Sequence, residues 1–217
     1  DRTMYEGLKK FFPEGFTYEE FTSGSGLGIM EANVVGPTMA DDIKTSTVWA
    51  LVFSLAGIFL YILFRFRKWQ YSAGCVAASI HNVIVVCGAF ALLHGVLPFS
   101  MQIDQTFVAA ILTVIGYALN DNVIVFDRIR EEIRNNPRKD VDMLSNMAIN
   151  KTLSRTINTS LTTFLVVLVI FIWGGDSIRG FMFAIGIGII IGTYSSIFTA
   201  TPVMLDLLRK TLPPRGN

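Results

Sequence analysis

Charged side chains are scarce in this sequence. Asp, Glu, Lys and Arg make up 16% of its 217 residues, against about 25% in an ordinary soluble domain. The 18 basic and 17 acidic residues nearly cancel. The chain therefore lacks the excess of basic residues that is typical of nucleic-acid-binding proteins. Cys75 and Cys87 lie twelve positions apart in one apolar segment, too far apart for a disulfide within one helix.

Two common enzyme motifs are also missing. The sequence contains neither HExxH, which places zinc ligands on a helix, nor GxSxG, which presents a nucleophilic serine. We therefore expect no enzyme activity, no metal and no cofactor. The sequence begins at Asp1 without a signal peptide, which we interpret as part of a longer chain or a processed one.

Long apolar runs dominate what is present. Hydrophobic residues make up 52% of the chain, and its mean hydropathy is +0.51. A helix needs roughly 20 apolar residues to cross a bilayer. Five segments qualify, at 46–64, 72–97, 105–127, 154–173 and 179–207. The sequence therefore predicts a polytopic α-helical membrane protein with a transmembrane bundle over 46–208.

Basic residues alternate between the connections. The connections 65–71 and 128–154 and the tail 209–217 carry clusters of Lys and Arg, whereas the two intervening connections have at most one. By the positive-inside rule the clusters and the C-terminus are cytoplasmic. With five spans, residues 1–45 then lie outside.

The outer segment has a mixed pattern. We predict a helix over Arg2–Phe12 and strands over Phe16–Thr22 and Gly28–Val35, before Pro37 begins the run into the first span. About forty residues are too few for an independent core. We therefore interpret residues 1–45 as the end of a larger α+β domain.

The longest connection, 128–153, is predicted to be a cytoplasmic loop with a surface helix. Met143, Leu144 and Met147 recur at helical spacing, after a break at Asn135-Asn136-Pro137.

An aspartate lies inside the third apolar segment. Asp121 stands between Asn120 and Asn122, seven residues before Arg128, so roughly 10 Å inside that membrane face. A carboxylate at this depth costs a few kcal/mol. It should therefore face the interior of the bundle and have a partner there. Tyr117 lies one turn earlier on the same face.

A polar stripe on the fourth segment offers that partner. Offsets of three, four and seven place its members on one helical face: Arg155, Asn158, Thr159 and Thr162. Arg155 enters from the same side of the membrane as Asp121. We predict that the two charges pair and that protonation of Asp121 releases Arg155.

Simpler roles stay open for these residues. Arg155 could extend to the interface, the pair could serve only to fix helix register, and the stripe could make ordinary interhelical hydrogen bonds. His81 and Asn82 lie near the middle of the second segment. A histidine there either relays protons or stabilises a helix contact.

The fifth segment carries a small residue at every fourth position. These residues are Gly180, Ala184, Gly188, Gly192, Ser196 and Ala200. Small residues at this spacing let another helix approach closely. We predict that they form a packing face.

Several stretches of the sequence resemble one known family. The run AAILTVIGYALNDNVIVFDRIRE, residues 109–131, resembles the fourth-helix signature of SecF, the second half of the bacterial SecDF protein-export factor. VVGPTMADDIK, residues 34–44, is similar to that family's junction with its outer domain. Residues 155–175 and 180–202 resemble its last two helices. The likeness covers about residues 30–208.

The resemblance implies an RND-type (resistance-nodulation-division) bundle, one of two pseudo-twofold halves, in the bacterial inner membrane with residues 1–45 periplasmic. It implies an accessory to the SecYEG channel, driven by the proton-motive force, that acts on translocating preproteins and works with a SecD half, fused or separate. Asp121 and Arg155 match the family's proton-pathway residues. The family commonly has His-Asp where this chain has His81-Asn82.

Two other functions fit the same charged core. A proton-coupled RND transporter of lipids or small molecules would also need a buried carboxylate, together with a large outer docking domain. A non-energised scaffold of the translocon would tolerate the change Asp121→Asn.

Overall fold

The computed structural model describes residues 2–13, 15–22 and 37–211, and no strand occurs within these ranges. The chain divides into two compact units, Asp1–Asp42 and Ile43–Asn217. The described elements are α1 (Arg2–Leu8), a 3₁₀ turn (Lys9–Phe11), α2 (Tyr18–Thr22), α3 (Pro37–Phe66), α4 (Trp69–Leu93), α5 (Gln105–Asn135), α6 (Val141–Trp173), α7 (Asp176–Ser195), a π-helical turn (Ser196–Ala200) and α8 (Thr201–Thr211).

Aromatic side chains hold the N-terminal unit together. The rings of Tyr5 and Phe21 lie 5.5 Å apart, and the Tyr5 hydroxyl donates to the Phe16 carbonyl at 2.7 Å. The predicted helix over Arg2–Phe12 is confirmed as far as Phe11. The predicted strand over Phe16–Thr22 is wrong, because α2 forms there; the strand predicted over Gly28–Val35 lies outside the described residues.

The five predicted membrane spans are confirmed. Five helices in the described part of the chain are long and apolar enough to cross a bilayer: Thr45–Phe66, Trp69–Leu93, Gln105–Asn135, Val141–Trp173 and Asp176–Thr211. The last is one helical path, α7 through the π turn into α8. The chain is therefore a multi-pass membrane protein.

The third and fourth spans are longer than their apolar cores. No separate surface helix forms over 128–153, because α5 continues to Asn135 and residues 141–153 are the first turns of α6. Asp140 caps α6 by accepting from the Asp142 and Met143 amides at 3.2 and 3.3 Å. A salt bridge of 2.6 Å from Lys151 to the buried Glu132 joins these extensions.

Small residues let α7 lie close to α5. A Cβ atom added at Gly188 would overlap the Val114 side chain, and one at Gly192 would lie 3.0 Å from the Ala118 Cβ. Ala184 and Ser196 are fully buried on the same helical path. At Gly180 an added Cβ would meet the Ser100 carbonyl at 2.7 Å.

The first span packs mainly through its final turns, with Leu51 as a partly buried contact farther up the helix. Ile58, Ile62 and Phe66 are its buried apolar residues among those described, and they lie near the end of α3. Most of the preceding turns are exposed in this chain, including Trp49 and Phe53. The central helices α5 and α7 therefore form the core that positions the candidate site.

Candidate functional site: a buried carboxylate among hydroxyl groups

Asp121 lies in the packed interior of the bundle. On the buried face of α5 its neighbours are Ala118, Asn122 and Val125, which recur every three or four residues. The Asp121 side chain is 1% exposed. This placement agrees with the prediction that Asp121 faces the interior of the bundle.

Two hydroxyl groups from neighbouring helices face the carboxylate. Ser160 of α6 donates to Asp121 Oδ2 at 3.4 Å, and Thr193 of α7 donates to the same oxygen at 3.4 Å. The two hydroxyl oxygens lie 2.6 Å apart. Asp121 is therefore at the point where three membrane-spanning helices meet.

These contacts are long for hydrogen bonds to a carboxylate. An O–H···O⁻ bond normally measures about 2.5–2.7 Å, so each hydroxyl holds Asp121 weakly. Within the described residues no Lys, Arg or His forms an ion pair with Asp121. The same residues contain no group of three His, Cys, Asp or Glu side chains that could hold a metal ion. What the arrangement can do chemically is exchange a proton at Oδ2.

The predicted ion pair between Asp121 and Arg155 does not form. The face of α6 that packs inward carries Thr152, Thr156 and Ser160, all buried. Arg155 precedes Thr156 by one residue, and one residue is about 100° around a helix, so its side chain is exposed on the outer surface of this chain. The predicted polar stripe is one residue out of register with the face of α6 that packs inward, so the stripe lies on the outer surface of this chain.

The rest of the predicted stripe follows Arg155. Asn158 and Thr162 are exposed, and Thr159 is half-buried. The Thr159 and Thr162 hydroxyls donate to backbone carbonyls of their own helix, at 2.9 Å to Arg155 and 3.0 Å to Asn158. The outer surface of α6 therefore presents polar side chains at membrane depth that nothing in the described chain covers.

Tyr117 connects α5 to α6 one turn before Asp121. Its hydroxyl donates to the Thr159 carbonyl at 3.4 Å and to the Thr163 hydroxyl at 3.3 Å. Asn120 is exposed, unlike its neighbour Asn122. Of the two asparagines that flank Asp121, Asn122 alone joins the interior.

Further polar atoms are buried close by without partners. Neither amide atom of Asn122, nor the Asn82 nitrogen, nor the Thr156 hydroxyl has a hydrogen-bond partner among the described residues. The Asn82 nitrogen lies 4.0 Å from where a Cβ of Gly192 would be. His81 is half-buried, with Nδ1 3.5 Å from the Asn82 amide oxygen. Buried amides normally have partners, so these unpaired atoms mark a polar region in the interior of the bundle.

Ser160, Thr193 and Thr156 were not predicted from the sequence. One signal was available: Thr152, Thr156 and Ser160 recur every four residues on α6. Hydroxyl side chains bond readily to their own helix and are tolerated in apolar surroundings. A repeat of Ser and Thr is therefore weaker evidence for an inward-facing polar face than a repeat that contains Arg and Asn.

Comparisons with known proteins agree on one family. Residues 19–210 match the family described as protein export membrane protein SecD/SecF, C-terminal. The chain is 48% identical to the protein translocase subunit SecF of Rhodothermus marinus over 206 residues, which are 95% of this chain and 63% of that protein. It is 42% identical to the protein translocase subunit SecDF of Brucella abortus, over 80% of this chain and 22% of that protein.

Solved structures give the same result. The chain resembles the crystal structure of the translocon-associated membrane protein SecDF from Thermus thermophilus with a TM-score of 0.71 and 38% identity, over 81% of this chain and 23% of that one. A SecDF crystal structure in a super-membrane-facing form gives a TM-score of 0.69 at 36% identity, over 82% of this chain and 23% of that one. The chain thus spans less than two thirds of the length of these relatives.

Proposed function

Since this chain belongs to the SecD/SecF C-terminal family of protein export membrane proteins, we propose that it is the membrane part of a proton-driven accessory subunit of the Sec preprotein translocase. The observation that carries the proposal is Asp121, buried where α5, α6 and α7 meet and faced by hydroxyl groups. Its location is the bacterial inner membrane, with residues 1–45 periplasmic and the C-terminus cytoplasmic. Its partners are the SecYEG channel and translocating preproteins.

Asp121 acts in this proposal by changing its charge. An ionised carboxylate attracts the Ser160 and Thr193 hydroxyl protons, whereas a protonated one can donate its own proton to either oxygen. The three side chains come from three helices, so each charge state favours a different spacing of α5, α6 and α7. Asn122, Asn82 and Thr156 supply further polar groups along which water can reach Asp121.

Arg155 contributes to the proton pathway from the outer surface of α6. An arginine facing lipid is costly, and such residues normally face protein or water. The exposed stripe of Arg155, Asn158 and Thr162 therefore fits against the SecD half, which the fused Brucella relative carries in the same chain. We propose that a group of that half, rather than Asp121 directly, pairs with Arg155.

The energy supplied by one proton limits the mechanism. One charge crossing about 100 mV supplies roughly 2.3 kcal/mol, whereas moving an equilibrium from 1:99 to 99:1 needs about 5.5 kcal/mol. One proton per stroke therefore cannot reverse a strongly biased equilibrium at that potential. Additional protons, a pH gradient or preprotein binding must contribute.

Preprotein export with and without a proton gradient tests the function. The full-length parent protein carries Asp121→Asn, which keeps the side-chain shape but can neither bind nor release a proton in the physiological range. Asp127→Asn is the matched control, because Asp127 lies on the same helix but is exposed and paired with Arg65. The proposal expects the gradient-dependent part of export to be lost in Asp121→Asn alone, at equal membrane levels. Gradient-dependent export by that variant would contradict it.

A further inference from the structure

A basic groove opens at the end of the bundle where α3 passes into α4. It measures about 330 Å³, within the range of small-ligand sites. Four cationic side chains line it: Arg67, Lys68, Arg130 and Arg134. Its remaining lining is apolar or aromatic: Phe66, Tyr71, Ile133 and Leu208. The groove therefore combines positive charge at the rim with an apolar floor.

The cations of the groove make no ion pair within the part of the chain that the structure describes. None of Arg67, Lys68, Arg130 or Arg134 forms an ion pair with a described carboxylate. On the other side of Arg130 and Arg134, a second groove is lined also by Asp127 and Glu131. The groove with the apolar floor is thus lined by four cations and no carboxylate, whereas the neighbouring one contains two carboxylates.

The backbone at Arg67 is a separate indication. Arg67 has φ = 56°, the one positive φ at a non-glycine residue in the described chain. Its amide donates to the Leu63 carbonyl at 2.8 Å, which ends α3. Glycine is the usual residue in this left-handed position at a helix end, and a long side chain there is uncommon. Conformations of this kind concentrate at functional sites.

The floor of the groove is rigid. Phe66 and Tyr71 are both 2% exposed, their rings stack at 5.0 Å, and Phe126 meets each of them edge-on. Arg130 is oriented by a hydrogen bond of 3.4 Å to the Arg65 carbonyl. A ligand therefore finds these groups largely in place.

We propose that this groove binds the phosphate headgroup of an anionic phospholipid. The groove lies where the first candidate span ends at Phe66 and the second begins at Trp69, so in a bilayer it would lie at the depth of the headgroups. Basic pockets between membrane helices at this depth recognise acidic headgroups. The apolar floor suits the glycerol and ester region of a lipid, whereas a free phosphate would leave it unused.

Lipid retention by the full-length parent protein, measured by native mass spectrometry in detergent, tests the proposal. The probes are a phosphatidylglycerol, a phosphatidylcholine with the same acyl chains, and sn-glycerol 3-phosphate. We expect the phosphatidylglycerol to bind and to be displaced neither by the phosphatidylcholine nor by millimolar sn-glycerol 3-phosphate. Displacement by the water-soluble phosphate at similar affinity would overturn the assignment to a lipid.

Matched variants separate a site from a general surface charge. Lys68→Gln with Arg134→Gln removes two groove cations and should weaken phosphatidylglycerol binding at least tenfold, since each cation near a headgroup contributes about fivefold. Arg138→Gln with Lys210→Gln removes two exposed cations outside the groove and should change binding less than twofold. Equal losses in the two pairs would contradict a defined site.

Arg67→Gly distinguishes lost binding from lost folding. Glycine suits φ = 56° better than arginine does, so the variant should unfold at a temperature about 2 °C higher. It should nevertheless bind phosphatidylglycerol about fivefold more weakly. Unchanged lipid binding in a stable Arg67→Gly protein would overturn the proposal.

Discussion

The hydroxyl oxygens of Ser160 and Thr193 lie 2.6 Å apart, and each lies 3.4 Å from Oδ2 of Asp121. The two hydroxyls lie closer to each other than either does to the carboxylate, and since each carries one proton, the one that donates in the 2.6 Å bond leaves the other to donate to Asp121. Because α6 and α7 supply them and α5 supplies Asp121, these three side chains join three helices at one carboxylate.

Removing one of these hydroxyls should weaken coupling without unfolding the protein. Thr193→Val keeps the side-chain shape, and a net hydrogen bond is worth about 1 kcal/mol, so gradient-driven export should fall roughly fivefold. Thr113→Val is the control, because Thr113 is exposed and bonds to its own helix at Ala109. An equal effect of the two changes on export at equal membrane levels would rule out a special role for Thr193.

Arg155 should matter for export but not for the stability of this bundle. It pairs with no described carboxylate and is exposed, so Arg155→Gln should change the free energy of unfolding by less than about 0.5 kcal/mol. Export by the full-length protein should nevertheless fall, and Arg155→Lys should restore part of it. Normal export by Arg155→Gln would show that the residue only reaches the interface.

The close approach of α7 to α5 should be sensitive to one added methyl group. Gly188→Ala should destabilise the protein by about 1–3 kcal/mol, because its Cβ would overlap Val114. Combining it with Val114→Ala should recover part of that loss. Gly57→Ala is the control: nothing lies within 4 Å of its Cβ position, so it should stabilise α3 slightly. Thermal unfolding in detergent measures all four proteins; equal stability of Gly188→Ala and the parent would refute this packing.

The packing of the C-terminal end of α5 against the first turns of α6 should depend on Glu132. This buried carboxylate accepts from Lys151 at 2.6 Å and from Arg128 at 3.2 Å, so Glu132→Gln leaves Lys151 without its carboxylate partner and Arg128 with Glu131 alone. Its unfolding temperature should fall clearly below that of Glu131→Gln, because Glu131 is more exposed and bonds only within its own helix. Similar melting of the two variants would mean that the cluster does not hold the helices together.

The spans were predictable from the sequence because a helix in lipid must be apolar over most of its length. The C-terminal extension of α5 and the N-terminal extension of α6 were not predictable, because both carry charged residues. Their helical state depends on contacts such as that of Lys151 with Glu132. The error at Phe16–Thr22 has a local cause. Thr17 and Glu20 form a reciprocal cap, with 2.9 Å from the Thr17 amide to the Glu20 carboxylate, a T-x-x-E signature that marks a helix start.

The inward position of Asp121 was predictable, but its neighbours were not. A lone carboxylate in an apolar segment must face protein, which fixes its side of α5. The same argument could not identify which face of α6 packs against α5 and α7. Polar residues such as Arg155 and Asn158 would also avoid lipid if they faced another protein rather than this bundle. The weaker hydroxyl pattern ending in Ser160 marks the face that packs within this chain.

Proton flux through the full-length parent protein in vesicles tests the central claim most directly. Vesicles loaded with a pH-sensitive dye receive an imposed pH gradient, and its decay is compared for the parent protein, Asp121→Asn and Asp127→Asn at equal protein content. The account predicts fast decay for the parent and for Asp127→Asn, and decay no faster than in empty vesicles for Asp121→Asn. Decay in Asp121→Asn as fast as in the parent would contradict the claim that this carboxylate carries the proton.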